Sequence, residues 1–133
     1  MNVTVAHVTH ERHRQEGRRL ESSQLARQIV DISSDKLATD IVLLDIHALT
    51  SIADYFVICT AGSTRQISAI TDALFDTLAD VDIKPLHSEG IGESGWVLVD
   101  YGDVIVHIFT EAERDYYSLE QLWKDAPVVL RMQ

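Results

Sequence analysis

Apolar positions along the chain switch between a spacing of three to four and a spacing of one to two, and each switch marks an element. Leu25, Ile29 and Ile32 recur at helical spacing, with Ser22 or Ser23 placed to cap the start and the stripe ending near Leu37–Ala38. The run Ile41-Val42-Leu43-Leu44-Asp45-Ile46 is apolar on both alternating faces, the pattern of an inner strand. Residues 47–53 connect it to a second strand, Tyr55-Phe56-Val57-Ile58-Cys59-Thr60. A link this short cannot carry a parallel crossover, so the two strands are expected to be antiparallel neighbours.

Ala61-Gly62 breaks that strand, and Ser63 with Gln66 fits a capping box at the start of a second helix. Ile67, Ile70, Leu74 and Leu78 form its buried stripe. A third strand is predicted around Ile83–Leu86, followed by a flexible, glycine-rich loop over Ser88–Gly95. Trp96–Asp100 and Val104–Phe109 then read as a hairpin around Tyr101-Gly102. A last helix is predicted over Glu111–Asp125, with Tyr116, Leu119, Leu122 and Trp123 as a packing stripe and Pro127 as its stop. The order α-β-β-α-β-β-β-α predicts an α/β domain with a mixed sheet of about five strands flanked by helices.

Composition narrows the class. With 133 residues and 46% hydrophobic positions the chain can build one core and not two. The lone Cys59 sits in an apolar run and reads as a buried thiol in a reducing compartment. No apolar stretch approaches the roughly 20 residues of a membrane span, and the start of the chain lacks the apolar core of a secretory signal. A soluble, non-secreted protein is expected.

Charge is more informative. Residues 1–19 carry Arg12, Arg14, Arg18 and Arg19 against Glu11 and Glu16, which reads as a flexible basic tail ahead of a domain over 20–133. The tail's arginines also admit a transit peptide, although its two glutamates and lack of serine weigh against one. His7, His10 and His13 recur every third residue. With few carboxylates beside them and nothing to bury a metal, they read as a chance cluster. The remainder holds 7 basic and 19 acidic residues, a net charge of −12. Such a body repels phosphate backbones and favours a basic partner, so no direct nucleic-acid binding is expected. The same acidity would also serve solubility alone.

Several stretches carry a family likeness. They are Asp54-Tyr55-Phe56-Val57-Ile58, Gly62-Ser63 with Arg65-Gln66, Glu89-Gly90, and the run from Trp96 to Phe109 that includes Asp100-Tyr101-Gly102-Asp103. Arg114, Tyr117, Leu119-Glu120 and Leu122-Trp123 complete the set. In this order, over roughly residues 24–125, they closely resemble the ribosomal silencing factor (iojap-like) family. The resemblance implies a cytoplasmic translational repressor that binds the large ribosomal subunit through protein L-fourteen and blocks association with the small subunit. It also admits an assembly factor that keeps immature large subunits apart from small ones. Relatives of the family serve mitochondria and chloroplasts.

The family fold resembles that of nucleotidyltransferases, which raises an enzymatic alternative. Such enzymes follow a Gly-Ser turn with two acidic residues one apart on a strand, to hold magnesium against a triphosphate. Here Gly62-Ser63 is present, but Asp72 is followed two positions later by Leu74, and both fall in the predicted helix. Asp100 and Asp103 lie three apart across a turn, where carboxylates commonly organise backbone. The expectation is a nucleotidyltransferase-like fold without the catalytic site: no enzyme, no cofactor and no metal.

Partner binding is assigned to the hairpin and its neighbouring loop: Trp96, Tyr101, Gly102, Asp100, Asp103 and Glu89. Buried aromatic anchors dominate interface energetics, and the three carboxylates would meet basic groups of the ribosomal protein. Aromatics so placed can also simply cap a core edge. His107 alternates with Ile105 and Phe109 and reads as a structural histidine, while His47 and His87 carry no readable signal. An exposed docking edge of this kind could pair with a second copy, so the free protein is a monomer or a homodimer.

Overall fold

The computed structural model describes residues 21–133. The expectations about the tail, its histidines and a transit peptide, and the boundary of the domain after residue 19, fall outside that range. Residues 21–35 are helical (α1). The helix is already under way at Glu21, and Ser22 is a buried position on it whose hydroxyl donates to Asp54 Oδ2 at 2.9 Å. The stripe is centred on Ala26, Ile29, Val30 and Ser33, with Leu25 and Ile32 at its margins. Leu37 ends α1 in the left-handed region at φ 66°.

Six strands follow, β1 Thr39–Asp45, β2 Tyr55–Ala61, β3 His87–Glu89, β4 Trp96–Asp100, β5 Val104–Thr110 and β6 Val128–Met132. Their order across the sheet is β3-β4-β5-β2-β1-β6. The pair β1/β2 is antiparallel, as the nine-residue connection over 46–54 requires, and among the described residues only β2/β5 is parallel. Helix α2, Thr64–Ala79, supplies the crossover between these parallel neighbours. Ser63 Oγ accepts from the Gln66 amide at 3.1 Å, and Gln66 Oε1 reaches back to the Gly62 amide at 2.6 Å. The box is therefore present, shifted by one residue on its return bond.

The third strand begins later than predicted. Pro85 has no amide to donate, so pairing to β4 opens only with Leu86 N–H to Asp100 O at 2.8 Å. The segment Ser88–Gly95 is not one open loop. Its first two residues belong to β3, and a 3-10 turn over Gly92–Ser94 packs on α2. A side chain at Gly92 would collide with the Thr64 carbonyl oxygen at 2.6 Å, which is why glycine stands there. The predicted last helix is two short ones, α3 Glu111–Tyr117 and α4 Leu119–Leu122, broken by Ser118 at φ 48°. Strand β6 was not anticipated: it is a largely exposed edge strand along β1, with only Leu130 partly buried.

Strand alternation splits the core into two clusters. Ile41, Leu43, Tyr55, Val57, Val97, Val99, Val104 and Val106 face α1 and α2. On the opposite face, Val42, Leu44, Phe56, Ile58, Ile105 and Phe109 cluster with Ile46, Ala53 and Ala126, with Trp96, Leu98, Leu119 and Trp123 partly buried against them. One face of the sheet is thus fully roofed and the other only partly. The partial roof positions the candidate site.

Candidate functional site

Trp96 lies on the partly roofed face, and its setting is tightly specified. Gly95, at φ 82°, turns the chain into β4, and Ser94 Oγ donates to the Trp96 carbonyl at 2.9 Å. The indole N–H donates to His107 Nδ1 at 3.3 Å, which fixes the ring and makes Nε2 the protonated nitrogen of the imidazole. Phe109 stacks on the indole at 5.1 Å between centroids, and Tyr117 leans against it at 4.4 Å with 47° between planes. His107 is buried beside Phe56 as well, and burial pulls its pKa down to about 4. It is a neutral structural histidine whose hydrogen bond orients the tryptophan.

Between Trp96 and the sheet edge runs a cleft of about 250 Å³ lined by Glu89, Gly90, Ser94, Trp96, Leu98 and Tyr117. Leu98 is the Cα partner of Glu89, and Asp100 that of His87, so these four side chains share the face with Trp96. His87 Nε2 and Glu89 Oε1 are 2.9 Å apart at the rim. The structure therefore brings Trp96, Asp100 and Glu89 together on one face. It adds Leu98 and Tyr117, which sequence reasoning left out. Period-two alternation from Trp96 would have found Leu98. Tyr117 was hidden because the helical stripe appeared to run on past Ser118.

The other assigned residues divide. Asp100 Oδ1 accepts from the Gly102 amide at 2.7 Å, and Gly102 adopts φ 91°, so this pair builds the turn. The Asp103 carbonyl oxygen accepts from the amides of Asp54 and Tyr55, tying the turn to the entry of β2. Tyr101 is not at an exposed tip. It continues the Val97-Val99 side of β4 into the roofed cluster and is 8% exposed, with burial pushing its hydroxyl up to about 12. Tyr116 and Leu122, expected in the core, are 78% and 75% exposed. The break at Ser118 ends the periodicity on which that expectation rested. Trp123 does pack inward, against Phe56 at 5.0 Å.

The Gly62-Ser63 turn is fully engaged as a helix cap, and Gln66 Nε2 additionally donates to the carbonyls of Lys36 and Leu37. Beside the ends of β2 and β5 lies a polar cleft of about 500 Å³, lined by Asp40, Thr60, Glu111, Arg114, Asp115 and Glu120 among others. Its guanidinium is committed through Nε and Nη1, while Nη2 has no hydrogen bond among the described residues and meets only the Asp40 carboxylate at 3.7 Å. Arg114, 8% exposed, donates to Asp40 O, to Thr60 Oγ1 at 2.8 Å and to Glu120 Oε1 at 2.8 Å. Arg131 from β6 bridges Asp40 and Glu120 from outside. Burial alone would raise the Glu120 carboxyl, but the hydrogen bonds and charges of Arg114 and Arg131 hold it below the usual range. The network fastens β6 and the α3–α4 corner to the sheet.

Comparison with known proteins agrees with this architecture. Residues 19–133 match the model of a family described as ribosomal silencing factor during starvation. A Bacillus subtilis ribosomal silencing factor RsfS is 47% identical over 94 residues, covering 71% of this chain and 80% of that protein. A crystal structure of a Bacillus halodurans protein superposes with a TM-score of 0.72 at 36% identity, covering 81% of this chain and 98% of the other. More distantly, a mouse protein named mitochondrial assembly of ribosomal large subunit protein 1 is 28% identical over 98 residues, 71% of this chain and 43% of its own length. With a family model matching all of the described residues and relatives of this similarity, the protein belongs to the ribosomal silencing factor family.

Proposed function

We propose that the protein represses translation by binding the large ribosomal subunit through protein L-fourteen and obstructing the small subunit. The observation that carries this reading is the partly roofed sheet face, where fixed aromatic rings stand among carboxylates in a chain of this family. Trp96 is the anchor, with the carboxylates of Glu89, Asp100 and Asp103 meeting basic groups of the partner. Gly102 shapes the hairpin turn and Tyr101 braces it from within.

Obstruction needs only size and affinity. A body of this length has a radius of gyration of about 13 Å and a diameter on the order of 30 Å. Subunits cannot close their contacts over an object that wide without expelling it, and no nucleotide turnover is required. The test is sedimentation of the purified protein with isolated large subunits, isolated small subunits and joined ribosomes. Migration with large subunits supports the reading, and migration with small subunits alone refutes it.

The name of the mouse relative favours a second reading in which the same contact acts during assembly. Depleting the protein from its host separates the two. Accumulating large-subunit precursors would favour assembly, whereas mature subunits with excess joining in starved cells would favour silencing.

A further inference from the structure

We infer that the cleft between Trp96 and the sheet edge, with Tyr117 in its lining, is a receptor for a single guanidinium side chain of the partner surface. The identity of that partner rests on the silencing reading above; the chemistry of the cleft does not. At about 250 Å³ the space is below the roughly 300–1,000 Å³ of small-molecule sites and suits one inserted side chain. Two aromatic rings, those of Trp96 and Tyr117, are part of its lining. The indole is held by His107 and backed by Phe109, and Tyr117 stands 4.4 Å from it with 43% of its surface exposed. Aromatic faces carry negative potential and attract cations, arginine most often.

The surroundings select the same sign. Glu89 lines the cleft, and the Glu113 side chain lies against Gly95, one residue before Trp96. The domain around them carries a net charge of −12. A guanidinium fits better than an ammonium. It is planar, weakly hydrated and able to stack on a ring while its edge donates to a carboxylate, whereas lysine is a strongly hydrated point charge. Leu98 in the lining would meet the aliphatic stem of the inserted side chain.

The experiment uses the 15N-labelled full chain, whose two indole N–H signals are assigned with Trp123→Phe. The probes are N-acetyl-arginine amide, its lysine counterpart and the neutral isostere N-acetyl-citrulline amide. The arginine probe is expected to shift the Trp96 indole signal saturably at millimolar concentration, the lysine probe more weakly and the citrulline probe not at all. Tyr117→Leu and Glu89→Gln, both at exposed positions, should each weaken that binding and the affinity for large subunits by about three- to tenfold. Probe binding at Trp96 without any binding to large subunits would support the cleft chemistry and overturn the silencing reading. Large-subunit binding that is unchanged in both variants, with no arginine-induced shift, would overturn this proposal and leave the silencing reading standing. A shift of the same signal on raising protein concentration alone would give the cleft to a second copy, and would equally overturn it.

Discussion

Acidification should destabilise this protein through His107. The ring is 4% exposed, and burial lowers its pKa from 6.5 to about 4. The neutral form is the native one: Nδ1 accepts the Trp96 indole N–H, and protonating it would set two N–H groups against each other. In the unfolded chain the ring titrates at its ordinary value. Between these two pKa values the unfolded state binds more protons, so stability is fully present above pH 6.5 and is lost as pH falls towards 4. The slope approaches about 1.4 kcal/mol per pH unit, and the loss between pH 7 and pH 4.5 is about 2–3 kcal/mol, a large share of a small domain's stability. Glu120, whose carboxyl is held low by Arg114 and Arg131 despite burial, loses its contribution only as pH falls through that lower value. Urea unfolding followed by tryptophan fluorescence at pH 7, 6, 5 and 4.5 measures the effect. A His107→Leu variant removes the titrating group and should show a flatter profile over the same range, whatever its absolute stability. Parallel pH profiles for the wild type and the variant would refute the argument.

Other perturbations have defined outcomes. Arg114→Met removes the buried guanidinium from Asp40, Thr60 and Glu120, leaves the two part-exposed carboxylates to Arg131 alone, and should cost about 1–3 kcal/mol in denaturant unfolding. Leu37→Gly relieves a non-glycine residue at φ 66° that is 77% exposed, and should raise stability by about 1 kcal/mol in the same assay. Trp96→Ala should weaken large-subunit binding by about 2 kcal/mol, roughly thirtyfold, measured by co-sedimentation with its fold checked by circular dichroism. Tyr101→Phe should leave that binding unchanged and raise stability by about 1 kcal/mol. Its hydroxyl is buried with no partner among the described residues.

Elements with strong local signals were legible. The Ser63–Gln66 box, the α2 stripe and the Trp96–Phe109 hairpin each follow from a few neighbouring residues, and the structure places them where that chemistry predicts. What was hidden depends on long-range packing. Ser118 looks like any helical serine; its left-handed turn follows from the way Arg114 and Glu120 close on each other across it. Strand β6 has one partly buried apolar residue, so its pattern is weak, and it is held by β1 pairing and by Arg131 on Asp40. Tyr101 continues the alternation of Val97 and Val99, which turns it inward at the core edge. At the candidate site, the sequence supplied Trp96, Glu89 and Asp100. It could not supply the contact of Tyr117 with the indole, which requires a folded α3 that carries the ring back against Trp96 and Phe109.

The central claim is that the protein prevents ribosomal subunits from joining by occupying the large one. Light scattering on mixing purified large and small subunits, with the protein pre-incubated at increasing concentration, tests it most directly. The account predicts a saturable fall in the joined fraction, shifted to higher concentration by Trp96→Ala and abolished when subunits are joined before the protein is added. A joined fraction that stays constant while the protein saturates the large subunits would contradict it.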